Sequence, residues 1–278
     1  MSQAIHPSAA LAGRGRIWFH ALAGDVPAAQ SLPASVLVAD TLLEQERVRY
    51  LAVVPDPQNR FPRARGGELG IDEGWGLAAA VREAIKADQA GERRALVALV
   101  DVPSQAYGRR EEVLGIHLAL AAAVDAYATA RRAGHPLIAL IVGQAISGGL
   151  LAHGAQANRI LALDDPGVIV QAMAREEAAR VTRRSVDELN ALAETVLPMS
   201  FEVHACVKLG IVQKLLSGVH ADAPTEPEIV AIKQELITAI TEVRHAGSRD
   251  LADWRASPDV SAHRAASLRV RERMAAEW

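Results

Sequence analysis

The sequence is short of the features that define several classes of protein. A single cysteine, Cys206, in 278 residues excludes an internal disulfide and a metal site built on several cysteines. The apolar runs, such as 95–100 and 136–142, fall far below the roughly 20 residues that a membrane-spanning helix needs. The first residues lack the basic start and long apolar centre of a signal peptide. A net charge of −3 gives no general attraction to nucleic acid or anionic membranes, so we expect a cytoplasmic protein.

What is present favours one large α/β domain, because half of the residues are apolar and only 4% are aromatic. Short β-branched runs alternate with longer amphipathic stretches, a pattern typical of stacked β-α units. We predict strands at 36–39, 48–54, 95–100, 136–142 and 159–163, and helices at 72–89, 111–132 and 150–156. The remainder is mostly helical in pattern. The loops after residues 54, 100 and 142 should meet at the carboxyl end of the sheet, where sites of such sheets form.

The best chemical candidate is the loop from Gly143 to Gly149, which reads Gly-Gln-Ala-Ile-Ser-Gly-Gly. Gly148 and Gly149 open a predicted helix, so their N–H groups lack helical partners. Because neither glycine has a side chain, a ligand oxygen can approach the backbone there. The turn therefore suits an anion or an oxyanion. A tight strand-to-helix turn, with glycines present only for close packing, explains the pattern equally well.

The residue identities in this loop exclude two known classes of glycine-rich loop. A phosphate-binding P-loop needs a lysine where Gly149 stands, and a nucleophile elbow needs a glycine where Ala145 stands. Ser147 is still a candidate nucleophile, in the manner of self-compartmentalised serine proteases, and that hypothesis needs His153 as its base. The nine histidines show no metal-binding spacing, so no metal is expected.

Two further loops carry candidate residues. The loop 58–70 has three arginines and three glycines, and arginines on such a loop can hold phosphates or carboxylates bidentately. A solvated basic loop is the alternative interpretation. The loop 104–110 is polar and is followed by Glu111 and Glu112, whose charges could serve only to cap a helix.

These residues resemble a known family. Asp101-Val102-Pro103, the following Gly108 and the alanine-rich stretch 119–130 are similar to the acyl-CoA carboxyltransferase branch of the crotonase superfamily. The stretch 136–149 resembles that family's strand and Ser-Gly-Gly turn. The segment 53–75 is more specific and resembles the gamma subunits of biotin-independent malonate decarboxylases. The resemblance covers roughly residues 15–245.

The resemblance implies an α/β crotonase fold (ClpP/crotonase-like), with stacked β-β-α units and a helical C-terminal region. Residues 1–14 would be a flexible N-terminus, 15–245 the crotonase-like domain and 246–278 a helical tail. The implied partners are a homologous beta subunit, an acyl carrier subunit and its transferase subunit. With the beta subunit, the chain would decarboxylate a malonyl thioester on the carrier to an acetyl thioester, through an oxyanion-stabilised enolate. The CoA-derived prosthetic group would sit on the carrier, and this chain would bind no cofactor and no biotin.

Site residues follow from the same resemblance. The backbone of Gly148 and Gly149 would supply the oxyanion donors. The substrate-binding residues would be Gln144, Ala145, Ile146, Ser147, Arg63, Gly66, Gly67 and Gly108. Residues 144–146 stand where many carboxyltransferase alpha halves have glycines, and bulkier residues there would narrow a site that otherwise admits biotin.

Two alternatives remain open. One is a self-sufficient crotonase-type enzyme, such as a hydratase or isomerase of acyl-CoA, with Glu111 or Glu112 as its carboxylates. The other is a non-catalytic scaffold for a catalytic partner. The sequence singles out no proton donor.

Overall fold

The computed structural model describes residues 13–25, 31–246, 249, 251 and 257–278. These residues form one sheet of seven strands in the order β1-β2-β3-β4-β5-β7, and β6 pairs with β4 off that path. The strands are β1 Val36–Leu43, β2 Glu46–Val53, β3 Ala95–Val102, β4 Leu137–Ile146, β5 Arg159–Leu163, β6 Ile169–Gln171 and β7 Lys214–Leu216. The helices are α1 Gly13–Ala23, α2 Ile71–Ala87, α3 Arg109–Val113, α4 Ile116–Ala133, α5 Ser147–Ala152, α6 Arg175–Thr182, α7 Val186–Thr195, α8 Val203–Lys208, α9 Glu226–His245, α10 Pro258–His263 and α11 Ala265–Glu277.

The sheet begins as a hairpin and continues as parallel strands. β1 and β2 are antiparallel, and every later pairing on the path is parallel. The hairpin and α2 therefore make one β-β-α unit. The central strands β3 and β4 are almost wholly buried, as continuous apolar runs predict when helices cover both faces of a parallel sheet.

Alanine and glycine set how closely the helices pack. α2 and α4 lie against each other beside the sheet. A Cβ atom on Gly74 would come within 2.7 Å of the Ala119 carbonyl oxygen, so α2 can approach α4 this closely only with glycine at that position. The alanine-rich composition thus has a direct consequence, which is short distances between packed elements.

Several predicted elements differ in the structure. The strand predicted over 36–39 extends to Leu43, and the helix predicted over 150–156 runs from Ser147 to Ala152. The helix predicted over 111–132 is split into α3 and α4, because Gly115 adopts the left-handed region with φ 84° between them. The strand predicted over 136–142 continues to Ile146, so the first part of the expected loop is strand. Strands β6 and β7 lie in the region expected to be mostly helical, since three-residue strands leave too short a pattern to detect.

Asp101 explains the extension of β4. The β3–β4 ladder shifts register between Val100 and Val102. At that point the Asp101 carboxylate accepts hydrogen bonds from the backbone N–H groups of Gln144 and Gly15, each at 3.1 Å. A side chain at Gly143 would collide with that carboxylate. Asp101 therefore carries the strand past the irregularity and also attaches α1 to the sheet.

The predicted flexible segment 1–14 lies outside the described residues except for Gly13 and Arg14, which belong to α1. α9 packs its apolar face on the core, and α10 and α11 follow it. The boundaries predicted at 14 and 245 stay predictions. In the part of the chain that the structure describes, no helix is both long and apolar enough to cross a membrane.

Candidate active site at the Ser147 turn

The chain turns sharply from β4 into α5 at Ser147. This serine has φ 60°, which is left-handed and costs a non-glycine residue roughly 1–2 kcal/mol. Strained residues of this kind are found where a fold holds a functional group in place. Ser147 lies on the wall of two clefts: a main cleft of about 480 Å³, and a smaller apolar one of about 310 Å³ that Gly148 also lines.

The main cleft collects residues from distant parts of the chain. Arg63 comes from the loop after β2, Gln105 and Tyr107 from the loop after β3, and Ser147 from the turn after β4. The sequence predicts that these three loops meet, because each follows the carboxyl end of a strand in the β-α pattern. Glu177, which lies on α6, also lines this cleft.

Backbone hydrogen bonds hold the first two loops together. The Leu69 N–H donates to the Ser104 carbonyl oxygen at 3.0 Å, and the Ala106 N–H donates to the Leu69 carbonyl oxygen at 2.9 Å. Leu69 and Gln105 thereby form a one-residue parallel bridge. The backbone on both sides of Gln105 is therefore fixed by hydrogen bonds.

The buried carboxylate of Glu73 holds the basic loop 58–70 in place. Glu73 is fully buried and accepts hydrogen bonds from the Asn59 side-chain amide at 2.6 Å and from the Gly70 N–H at 3.0 Å. The Ser35 hydroxyl also donates to it, at 2.5 Å. Burial raises the pKa of Glu73, although these hydrogen bonds oppose the rise. The loop that presents Arg63 is therefore tied to the first turn of α2.

Gly148 presents its backbone N–H at the turn, and the structure gives that N–H a partner. The Gln105 side-chain oxygen accepts its hydrogen bond at 2.8 Å. Sequence reasoning expected an unpaired N–H group here. The neutral amide oxygen of Gln105 occupies a position that a substrate oxygen could take, so the donor is oriented toward an oxygen even without a ligand.

Gly149 is a glycine for a different reason. A Cβ atom there would lie 3.1 Å from the Ser104 carbonyl oxygen and would collide with the Val102 side chain. The absence of a side chain at Gly149 therefore lets α5 pack on the end of β3. This is the packing role that the sequence left open for the glycine pair.

The structure separates the other predicted residues of β4. Ile146 lines the main cleft. Gln144 is exposed, and its N–H is bound to Asp101. Ala145 is fully buried in the sheet. A narrowing of the site by residues 144–146 therefore depends on Ile146.

The predicted glycines of the two loops lie beside the main cleft rather than on its wall. Gly66 donates its N–H to Glu68 at 3.0 Å. Gly67 has φ 97° and packs on Pro55. The space for a side chain at Gly108 is taken by Glu111, 2.5 Å away. Arg63 is the residue of this predicted group that lines the main cleft.

His153 has no free nitrogen for Ser147. It is fully buried, with Nδ1 2.9 Å from the Tyr127 hydroxyl and Nε2 3.0 Å from the Leu99 carbonyl oxygen. Both contacts are satisfied if the hydroxyl donates to Nδ1 and Nε2–H donates to the carbonyl. Burial lowers the pKa of His153 to about 4. The serine-nucleophile hypothesis therefore loses its proposed base.

The hydratase alternative also loses support. Glu111 is buried next to Gly108, Glu112 is exposed, and neither lines the main cleft. The charged residues that do line it are Arg63, Glu68, Glu177 and Arg180. Among the described residues, no group of three or more histidine, cysteine, aspartate or glutamate side chains could hold a metal ion.

Sequence reasoning missed Gln105, Glu177 and Arg180. Gln105 lies in a loop that was a candidate only for its charges. Glu177 and Arg180 lie on α6, which is brought to the turn by the pairing of β6 with β4. A three-residue strand carries no sequence pattern that would have linked them to the site.

The chain is similar to several known proteins in sequence and in overall fold. The chain is similar to a Pseudomonas malonate decarboxylase hetero-tetramer solved in complex with coenzyme A, at 52% identity and a TM-score of 0.89 over 96% of this chain and 100% of that chain. It is also similar to the Pseudomonas malonate decarboxylase MdcD-MdcE hetero-dimer, at 52% identity and a TM-score of 0.86 over the same shares. Transcarboxylase 12S matches at 19% identity and a TM-score of 0.64, over 84% of this chain and 42% of that chain. That likeness shows the crotonase-type α/β fold alone.

A curated relative is the malonyl-S-ACP:biotin-protein carboxyltransferase MADD of Malonomonas rubra, 34% identical over 164 residues. The match covers 58% of this chain and 56% of the relative, so the chain spans about half of that protein's length. A family model described as malonate decarboxylase gamma subunit matches residues 64–278. Because that match includes the Ser147 turn and spans more than half of the chain, this protein belongs to the malonate decarboxylase gamma subunit family.

Proposed function

We propose that this chain works with a homologous beta subunit to release CO2 from a malonyl thioester. The observation that carries the proposal is the Gly148 N–H, which follows the strained Ser147 and donates to the side-chain oxygen of Gln105 at 2.8 Å. Gln105 and Ser147 both line the main cleft, and Gly148 lines the smaller cleft beside it. Family membership and the coenzyme A complex of the Pseudomonas relative support a thioester substrate.

The chemistry follows from where charge develops. When the carbon–carbon bond to the carboxylate breaks, its electron pair moves toward the thioester carbonyl and leaves an enolate. Negative charge then grows on the thioester oxygen. A preorganised backbone donor at that oxygen typically changes turnover by ~10²–10³-fold. In this chain the thioester oxygen would replace the Gln105 oxygen at the Gly148 N–H.

Other residues of the main cleft suit an anionic thioester. Arg63 and Arg180 line the cleft beside Glu68 and Glu177, and either guanidinium group can pair with the malonyl carboxylate. Ile146, Met173 and Val181 supply apolar surface on the wall of the cleft. A carboxylate in apolar surroundings loses hydration that would otherwise stabilise it.

The assembly is part of the proposal. The malonyl group would be carried by an acyl carrier subunit through a CoA-derived prosthetic group, which a transferase subunit attaches. This chain would bind the thioester arm, without a cofactor of its own and without biotin, in the cytoplasm. Val113, Leu114 and Leu118 are 80%, 55% and 58% exposed. Such a group of exposed apolar side chains around the α3–α4 junction suits coverage by a partner subunit.

A second candidate function is carboxyl transfer to biotin. The Malonomonas relative supports it by its described activity. Ile146 argues against it, because it lines the main cleft at a position where a smaller residue would leave more room for a biotin ring.

The test is co-expression of the chain with its beta subunit, followed by an assay with a malonyl-loaded carrier subunit. We expect CO2 release by the complex, none by the isolated chain, and no inhibition by avidin. Robust release by the isolated chain would favour the self-sufficient enzyme. Full activity after substitutions at the Ser147 turn would favour a scaffold, and avidin-sensitive transfer would favour the biotin reaction.

A further inference from the structure

Glu177 carries a carboxylate oxygen that has no partner in the part of the chain that the structure describes. Its Oε2 atom is out of contact with solvent and accepts no hydrogen bond from the described residues. Tyr50 and His135 also have such atoms, but neither residue lines the main cleft. Since buried polar atoms are almost always paired, an unpaired carboxylate oxygen beside a candidate active site calls for a functional explanation.

The fold places Glu177 next to the turn. β6 pairs with the last residues of β4, with Gln171 opposite Ile146, the residue before Ser147. The chain then leaves β6 and enters α6, whose first turn contains Glu177. The carboxyl group and the Ser147 turn therefore lie on one cleft.

Other groups on the main cleft are less suited to move a proton. Glu68 accepts a hydrogen bond from the Gly66 N–H at 3.0 Å. Tyr107 is 47% exposed, so its hydroxyl lies in a wetter position. Glu177 takes part in no ion pair or hydrogen bond with the described residues, and its carboxyl is therefore uncommitted.

We infer that Glu177 is the catalytic acid that protonates the enolate carbon, an inference that rests on the proposed decarboxylation. Loss of CO2 leaves the electron pair shared between the thioester oxygen and the neighbouring carbon. The Glu177 carboxyl gives its proton to that carbon, a new carbon–hydrogen bond forms, and the enolate becomes the acetyl thioester. Glu177 is left as a carboxylate and regains a proton from water, so one proton is consumed for each CO2 released.

Oε2 of Glu177 has no hydrogen-bond partner among the described residues, so it is available to a group of the bound substrate. Once CO2 has left, the acid faces a carbanion-like centre and transfer is favourable.

The decisive measurement runs the step backwards. A positioned acid in the forward direction acts as a base in the reverse direction, so the complex should exchange the acetyl protons of an acetyl-loaded carrier subunit in D2O. Mass spectrometry of the acetyl group reports this exchange without any loss of CO2. We expect Glu177→Gln to slow the exchange by about 100-fold or more, while carrier binding and subunit assembly are unchanged. Glu176→Gln, an exposed neighbour on the same helix, should exchange like the wild type.

Each other result is informative. Exchange at the wild-type rate by Glu177→Gln overturns the inference. The inference is also overturned if Glu177→Gln binds the carrier or its partner subunit poorly but exchanges acetyl protons normally once bound, because Glu177 would then act in recognition. A wild-type complex that releases CO2 but never exchanges acetyl protons also overturns it, without touching the proposed function. Absence of CO2 release by the wild-type complex would instead reject the proposed function itself.

Discussion

The side-chain oxygen of Gln105 accepts a hydrogen bond from the backbone N–H of Gly148 at 2.8 Å. The two residues are 43 positions apart in sequence. In the proposed reaction, the thioester oxygen must displace this neutral acceptor before Gly148 can stabilise the enolate. In that reaction Gln105 would compete with the substrate for the Gly148 N–H. When no substrate is bound, Gln105 keeps this N–H oriented.

Two substitutions of Gln105 should change kcat/KM in opposite directions. A charged acceptor should lower it, and an apolar side chain should raise it. Gln105→Glu places a carboxylate at the Gly148 N–H, and hydrogen bonds to charged acceptors are roughly twice as strong. We expect kcat/KM to fall about 10- to 100-fold, since an anionic substrate is also repelled. Gln105→Met removes the acceptor at similar length and should raise kcat/KM by up to about tenfold, because a hydrogen bond worth ~1 kcal/mol no longer has to break. Steady-state kinetics of the complex measure both, and equal values for the two variants would show that the substrate does not use this N–H.

The two glycines of the turn should respond differently to added side chains. Gly148→Val should lower turnover by ~10²–10³-fold, since its Cβ would lie 3.0 Å from the Gln105 oxygen and its methyl groups would crowd the donor. Gly149→Ala should mainly reduce stability, by about 1–3 kcal/mol, because its Cβ meets Val102 and the Ser104 carbonyl. Turnover, subunit pairing and Tm of each variant separate the two effects.

Gly91 offers a matched control for those substitutions. Among the described residues, the neighbourhood of Gly91 is open, with no other side chain or distant backbone within 4 Å of the Cβ position. Gly91→Ala should keep wild-type turnover and pairing. If Gly148→Val is folded, paired and nearly normal in rate, the oxyanion donor lies elsewhere and the turn is structural.

Ser147 should matter little as a chemical group. Ser147→Ala should reduce turnover by about tenfold or less, whereas removal of a nucleophile costs on the order of a thousandfold or more. The reason is that His153 is sealed between Tyr127 and Leu99 and cannot take its proton. Ser147→Gly should be at least as stable as the wild type, since glycine relieves the left-handed strain. Covalent trapping of Ser147 by a serine-reactive phosphonate would contradict this interpretation.

Stability should depend on pH through His153. Burial lowers its pKa from 6.5 to about 4 in the folded chain, so between these values the unfolded chain binds a proton that the folded chain does not. Above about pH 6.5 His153 is neutral in both states and does not lower the free energy of unfolding. As the pH falls toward 4, proton uptake by the unfolded chain lowers the free energy of unfolding by roughly 3 kcal/mol. Urea unfolding between pH 4.5 and 8 measures this dependence.

His153→Phe removes the titrating group and is the comparison for that experiment. The variant loses the contacts to Tyr127 and Leu99 and should be less stable at pH 8. Its deficit relative to the wild type should shrink as the pH is lowered. Parallel pH profiles for the two proteins would show that His153 does not titrate in this window.

Much of the fold could be predicted because it depends on local patterns. The strands β3 and β4 are continuous apolar runs, and only strands buried on both faces need such runs. The split of the helix around Gly115 escaped prediction, since a single glycine is tolerated within a helical pattern. The extension of β4 to Ile146 escaped prediction because it depends on Asp101 of the neighbouring strand β3. The Asp101 carboxylate accepts a hydrogen bond from the Gln144 N–H on β4.

The sequence by itself determined that a glycine-bearing turn follows a buried central strand and that the loops after three strands meet there. These features follow from hydrophobic pattern and backbone freedom over a few residues. Only the tertiary structure decided that Gln105 faces the Gly148 N–H, that His153 is closed off, and that Glu177 joins the main cleft. The physical reason is that these relationships join side chains from distant segments, and their positions depend on how β6 pairs with β4 and how α5 packs on β3.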